Sequence, residues 1–398
     1  MSVMKYLPIL FLLAVVACTG NQANLPDRRV PAMDLSTITD TITIELDPQI
    51  NEYQIVPLET NPTLLIGDGA KYIFVSTDYI LVDTEKGLQQ FNRQGRFIRQ
   101  LMSKGKGPDE FIYLGAVIIY KSGLFFTDIT KSRERIYRCD LSTGDVTSFP
   151  LAIPGLIEDL AFLNDSTLMV ISDKAGEKGW QSTVFVQDLK GIPSYSRELG
   201  TYDLKSHIGY AHIQPDGFGG ALFSNPKSDS IVSFTGNQFQ PLWYTLNLSE
   251  FVLGQTYERF LRIVFLYSSK GDLFFEKTLI SSAKKTTKFG HRQLVAVRPD
   301  SLKASIVRSF RIKELDFDIN PFINYQSKTF AVAEYSAIGF KEKIRAIMEK
   351  INIVGTDNSV LDPDNSVLDS DHSVLEKLKA WDQKITENDN PVLIIWKL

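Results

Sequence analysis

Cysteine is almost absent from this chain: 398 residues carry two, Cys18 and Cys139. Histidine is scarce as well, with His207, His212, His291 and His372 scattered singly. Structural zinc of the Cys/His type is thereby excluded, since it needs four such ligands in close sequence groups. A basic excess is missing too. Forty-three Lys and Arg stand against 47 Asp and Glu, a formal charge of -4. Nucleic acid is an unsuitable partner for that balance, because phosphate binding needs clustered positive charge. Catalytic signatures are lacking: no Gly-x-Ser-x-Gly elbow, no His-Glu-x-x-His, no Walker lysine and no sialidase-like Asp-box occurs. Nor is there a long hydrophobic run. Leu7 to Val16, broken by Pro8, is too short for a spanning helix of about 20 residues.

That short run has a purpose of its own. Lys5 precedes it and Val15-Val16-Ala17-Cys18 follows. Small or medium apolar residues just before a cysteine resemble the lipobox of bacterial lipoproteins, where cleavage leaves an acylated cysteine at the new N-terminus. Residues 1–17 are expected to be a signal peptide and Cys18 the lipidation site, which ties the chain to a membrane by lipid. An ordinary secretory signal is the plainer alternative. With Cys18 acylated, Cys139 has no disulfide partner, so stability must come from packing. Loss of Lys5 moves the formal charge from -4 to -5. Residues 18–36, polar with Pro and Asn, read as a tether; 37–398 read as the folded domain.

Aromatic residues are plentiful: Phe 25, Tyr 15 and Trp 4. Beyond the tether they sit in short apolar runs separated by turn residues, the pattern of an all-β array. One run repeats. Ile80-Leu81-Val82-Asp83 is echoed by Leu124-Phe125-Phe126-Thr127-Asp128 and by Leu168-Met169-Val170-Ile171-Ser172-Asp173, each aspartate 45 residues after the last. Looser echoes end at Asn225, Glu276 and Glu334, at spacings of 52, 51 and 58 residues. Six units of this size match four-stranded propeller blades, and the expected fold is an all-β, six-bladed β-propeller of four-stranded antiparallel blades.

The C-terminal region departs from the repeat. Phe340 to Ile351 has helical spacing, and Ser373-Val374-Leu375-Glu376 reads as a capping box opening a second helix. Two near-identical heptads, 357–363 and 364–370, lie between. They resemble calcium loops in acidity but lack alternating carboxylates and the EF-hand glycine, so a duplicated helix start in a tolerant loop explains them. Pro391 to Leu398 reads as a final strand. Thr41-Ile42-Thr43-Ile44-Glu45-Leu46 is its expected ring-closing partner, which makes about 335–390 a helical insert in the last blade, expected to cover part of the top face.

Gly95-Arg96-Phe97-Ile98-Arg99-Gln100, Lys104-Gly105-Lys106-Gly107-Pro108-Asp109-Glu110-Phe111, Val56-Pro57-Leu58-Glu59-Thr60 and Asp389-Asn390-Pro391-Val392-Leu393 together resemble a family. It is that of the six-bladed β-propeller lipoproteins of Gram-negative gut bacteria, partly within the wider NHL-like propeller group. The resemblance spans essentially the whole mature chain, departing at Asp109, where the family usually has Gly. It implies a lipid-anchored envelope location, at the outer membrane. It implies no common activity.

Candidate site residues follow from meander topology. The acid-ended strands and the Lys104–Phe111 loop share one face, here the top. Asp83, Asp128, Asp173, Asn225, Glu276 and Glu334 therefore ring it, with Lys104, Lys106 and Trp180 nearby. A cation or polyol site is the sharp reading of that ring; hydrogen bonding to the following turn is the plain one. Gly105, Gly107, Pro108 and Glu110 form a structural loop motif, turn geometry being preferred over an anion cradle. Trp180 could stack on a sugar. Expected function is non-catalytic binding of a glycan or an envelope protein by the top face, with no resident cofactor. The alternative is a calcium-dependent hydrolase, lactonase or lyase with its metal at the channel mouth.

Overall fold

The computed structural model describes residues 32–35, 38–46, 53–60, 64–66, 72–177, 179–202, 212–216, 218–224, 230–246, 252–253, 258–269, 271–283, 286–301, 303–321, 328–357 and 366–398. The signal peptide, Cys18, Asn225 and most of the first heptad lie outside them.

Six sheets follow one another along the chain. Blade one comprises Tyr72–Val75, Tyr79–Asp83, Gly87–Asn92 and Phe97–Ser103. Blade two has Val117–Tyr120, Gly123–Phe126, Arg135–Asp140 and Val146–Pro150. Blade three has Leu156–Asn164, Thr167–Gly176, Gly179–Asp188 and Pro193–Tyr202. Blade four has His212–Pro215, Ala221–Ser224, Ser230–Thr235 and Gln238–Leu246. Blade five has Glu258–Ser269, Asp272–Ala283, Thr286–Arg298 and Lys303–Ile312. Blade six, in its described part, joins Phe330–Tyr335, Val392–Lys397 and the early strand Gln54–Pro57. This is the expected six-bladed propeller; the apolar runs of the first five echoes fall on second strands, and the sixth falls on Phe330–Tyr335, the first described strand of blade six.

Those second strands are apolar on both faces because each blade is sandwiched between two others. Ile80, Leu81 and Val82 are all fully buried, as are Leu168 through Ile171. Continuous burial replaces the alternation of a one-sided sheet. Apolar clusters then bridge the blade boundaries in turn. Phe74 and Leu81 meet Leu124 and Phe126; Phe125 meets Phe162, and Val170 shares a cluster with Phe223. Ile231 joins Phe275, Phe274 joins Ala331 and Trp396, and Leu393 and Val332 join Ile73 and Val82. The last of these closes the ring. Cys139 is wholly buried, and burial pushes its thiol up to about 12, so it is chemically quiet.

Two expectations need correction. Thr41–Leu46 does not pair with the C-terminal strand; it lies parallel to Lys303–Ile312 on the outside of blade five. Gln54–Pro57 takes the closing position, Leu393 opposite Val56 and Ile395 opposite Gln54. The reason is burial: five of the six residues of Val392–Lys397 are buried, whereas Thr41, Ile42, Thr43 and Glu45 stay exposed, as an outer edge allows. Ala32–Asp34, inside the expected tether, is already a strand, parallel to Gln238–Leu246 of blade four. The chain thus runs along the outer edges of blades four and five before closing blade six.

The helices, Ala337–Asp357 and Ser366–Lys384, do sit between two strands of blade six. The second begins seven residues before Ser373, so the capping box is helix interior; the duplicated heptad offers the same start one copy earlier. Phe340, Ile344, Leu378 and Ile385 pack on Phe317, Ile319 and Trp396 at the flank of blades five and six. Lys341 is buried and donates to the Ile385 carbonyl at 2.5 Å, capping the second helix's end. Among the described residues no helix is long and apolar enough to cross a membrane.

Candidate functional site

The expected acid ring resolves into separately engaged groups. Asp83 is buried and ion-paired with Lys104 (Oδ1–Nζ 2.7 Å). Asp128, fully buried, accepts the Ile112 amide at 2.9 Å and the Tyr113 amide at 3.4 Å on one oxygen. Its other oxygen accepts the Thr130 amide at 3.0 Å and hydroxyl at 2.5 Å. Asp173 is buried within a strand that continues to Gly176. Glu276 is likewise mid-strand, accepting the Thr278 hydroxyl at 2.8 Å and pairing with Arg292. Glu334 is exposed on blade six, yet crowded enough by protein that its carboxyl is raised. Lys106 is exposed, and Trp180 is half-buried in a strand opposite Ala175 and Tyr202 rather than in a loop. Among the described residues no three His, Cys, Asp or Glu side chains converge to a metal-holding group.

Asp128 has a measurable consequence. Burial alone would raise its carboxyl, but the hydrogen bonds from Thr130, Ile112 and Tyr113 outweigh it and hold the group below its ordinary 3.8. A depressed folded-state value contributes stability that is present above the ordinary value and lost as pH falls through the folded one. Asp128→Asn should therefore lower the melting temperature at pH 7 and flatten its fall below about pH 4, where unfolded carboxylates titrate. Melts from pH 2 to 7 check this; an unchanged acid limb refutes it.

The Lys104–Phe111 loop is a joint between blades one and two. Glu110 folds back so that its carboxylate accepts the Gly107 amide at 2.7 Å. A Cβ on Gly105 would lie 2.0 Å from that carboxylate, so a side chain there would have to displace it. Lys131 of blade two donates to the Gly107 and Pro108 carbonyls at 2.7 and 3.2 Å. The Gly107 amide, the donor an anion would use here, is taken by the chain's own Glu110.

A second cluster lies at the channel mouth, where the innermost strands begin. Tyr72 opens the inner strand of blade one, and Tyr113 hydrogen-bonds it; burial first, then Tyr72 and Glu158, raise the Tyr113 hydroxyl. Deeper, Asp159 on blade three accepts the Leu160 amide at 2.8 Å and the Ile213 amide of blade four at 2.7 Å. His212 Nδ1 lies 3.8 Å from the same carboxylate. Lys328, just before the strands of blade six, reaches it at 2.7 and 2.8 Å. Sequence reasoning missed this group. Its one signal is Glu158-Asp159, two acids inside the otherwise apolar strand Leu156–Asn164.

A cleft of about 200 Å³ also opens on blade one, lined by Leu64–Ile66, Thr84, Lys86, Gln89, Phe97 and Gln100. Gln89 and Gln100 are within 3.5 Å of each other on its floor.

No curated protein matches the sequence. Among solved structures, a putative exported protein of Bacteroides fragilis NCTC 9343 is similar at 13% identity, over 92% of this chain and 98% of its own, with a TM-score of 0.49. TolB of Acinetobacter baumannii is similar at 14% identity over 66% of this chain and 57% of its own, TM-score 0.34. The calcium-binding protein regucalcin of Agrobacterium tumefaciens is similar at 10% over 74% and 92%, TM-score 0.26. The family profile described as a domain of unknown function, DUF4934, covers residues 31–397, and the chain belongs to that family.

Proposed function

We propose that this is a non-catalytic binding propeller of the bacterial envelope, exported by residues 1–17, anchored to the outer membrane by lipid on Cys18, and seating a protein partner on its top face. The supporting observation is one buried carboxylate that fastens two loops. Asp128 holds the amides of Ile112 and Tyr113 on one loop and of Thr130 on the next. The side chains beside those amides keep much of their surface: Ile112, Tyr113 and Ile129 are 38%, 44% and 36% exposed. Apolar side chains on rigid loops form the cores of protein interfaces, where tyrosine is enriched. Two isoleucines offer nothing to a hydroxyl-covered glycan, which argues for protein over sugar. The calcium-enzyme alternative is disfavoured by the acids themselves, since Asp83, Asp128, Asp159 and Glu276 are each occupied by separate donors.

The test is photo-crosslinking in cells from positions 112 and 129, against positions 98 and 192, which carry exposed isoleucines elsewhere on the ring. One discrete protein adduct from 112 and 129, absent from 98 and 192 and abolished by Tyr113→Ala, is expected. Equal adducts at all four sites, or none, overturn the reading. Glycan binding that survives Tyr113→Ala would move the site to the cleft beside Phe97.

A further inference from the structure

We propose that the centre of the ring is a monovalent-cation site, and that the chain itself fills it with the ammonium of Lys328. Lys328 belongs to blade six, which stands opposite blade three in a six-membered ring. Its Nζ donates to Asp159 Oδ1 and Oδ2 at 2.8 and 2.7 Å, to the Leu160 carbonyl at 2.9 Å and to the Ile213 carbonyl at 2.6 Å. Four oxygens thus surround a group with three N–H donors. No oxygen there needs a neutral amine, so the nitrogen is a cation rather than a nucleophile. Burial pulls the ammonium below the ordinary lysine value, and the Asp159 charge opposes that pull.

The cage does not depend on the lysine for its shape. Asp159 is positioned by the Leu160 and Ile213 amides, and both carbonyls belong to innermost strands fixed in their sheets. It is also largely closed to water: the Lys328 and Asp159 side chains keep 12% and 9% of their surface. An isolated carboxylate in such a place is strongly unfavourable, so the cage demands a positive charge. Distances of 2.6–2.9 Å suit ammonium or a potassium-sized ion; calcium takes oxygens at about 2.3–2.6 Å. Finally, Lys328 is held at φ +58, a left-handed conformation uncommon outside glycine, asparagine and aspartate. The cross-ring contacts are what hold it there.

Lys328→Gly removes the charge while suiting the left-handed backbone. Its melting temperature is expected to rise saturably with ammonium, methylammonium or potassium chloride, relative to tetramethylammonium chloride at equal ionic strength. Wild type should show no difference between these salts. Adding Asp159→Asn should abolish the response. A Lys328→Gly protein that melts identically in all four salts overturns the proposal. If that variant folds in none of them, lysine ¹⁵N NMR of the wild type decides. A slowly exchanging NH₃⁺ signal that disappears in Lys328→Met supports the site, and a wild type without one refutes it.

Discussion

Asn390→Ala should lower the unfolding free energy by about 3–5 kcal/mol, since each buried polar group left unpaired costs about 1–3 kcal/mol. Urea denaturation reads this directly. Asn390 is buried at the seam between the last blade and the first. Its Oδ1 accepts the Ile66 amide at 2.8 Å, and its Nδ2 donates to the Glu59 and Leu64 carbonyls, both at 2.7 Å. Its own amide donates to the Thr60 hydroxyl at 2.6 Å. Three of these bonds vanish with the side chain, and all three partners are backbone groups of a crossover that has no ladder to join. Asn390→Asp should be no better than alanine: its second oxygen would face two carbonyls where a donor is required. Lys397→Ala, exposed on the adjoining strand, should change stability by no more than about 0.5 kcal/mol. A loss under 1 kcal/mol for Asn390→Ala would mean the seam is held by its strands alone.

That seam explains why three of the four sequence segments marking the family resemblance are separated in the chain. Glu59 donates its amide to the Gly95 carbonyl at 2.8 Å, and its carboxylate accepts the Phe97 amide at 3.0 Å. Leu58 donates to the Pro391 carbonyl at 3.1 Å. Gly95, at φ +82, would place a Cβ 2.2 Å from the Pro57 carbonyl. Residues near 58, 95 and 390 are therefore one structure, and the fourth segment is the joint described above.

Blade count was legible because a doubly buried second strand needs the same apolar run in every repeat. The acid closes the apolar run without always closing the strand: Asp83 is the last residue of its strand and Asp128 follows its own, whereas Asp173 and Glu276 lie mid-strand. The closing strand was not legible. Thr41–Leu46 has the better β-branched pattern, while Gln54–Pro57 is short and ends in proline, a residue suited to edge positions. Burial decides between them, and burial belongs to the assembled ring. The central ion pair was hidden for a related reason. Lys328 and Asp159 are 169 residues apart and meet only because blades three and six face each other across the axis. No local spacing encodes that.

The second large effect belongs to the joint loop. Phe111→Ala should cost about 3–5 kcal/mol, the usual loss for a fully buried aromatic. Phe111 meets Phe126 of blade two edge-on at 6.5 Å, and the Lys104 ammonium sits 4.0 Å from its ring centre. Truncation opens a void in the cluster that joins Leu81 and Leu88 to Leu124 and Phe126, so the loss is shared by two blades. Lys106→Ala, on the exposed side of the same loop, should be nearly silent. The pair separates a packing joint from a ligand loop, because an anion site would depend on Lys106. Glu110→Ala sharpens the distinction. It vacates the Gly107 amide and the space beside Gly105, so sulfate should raise the melting temperature of this variant above that in chloride of equal ionic strength. Wild type, with Glu110 already in the cradle, should show no such preference. A wild type stabilised by sulfate as strongly as the variant would return the loop to the list of anion sites.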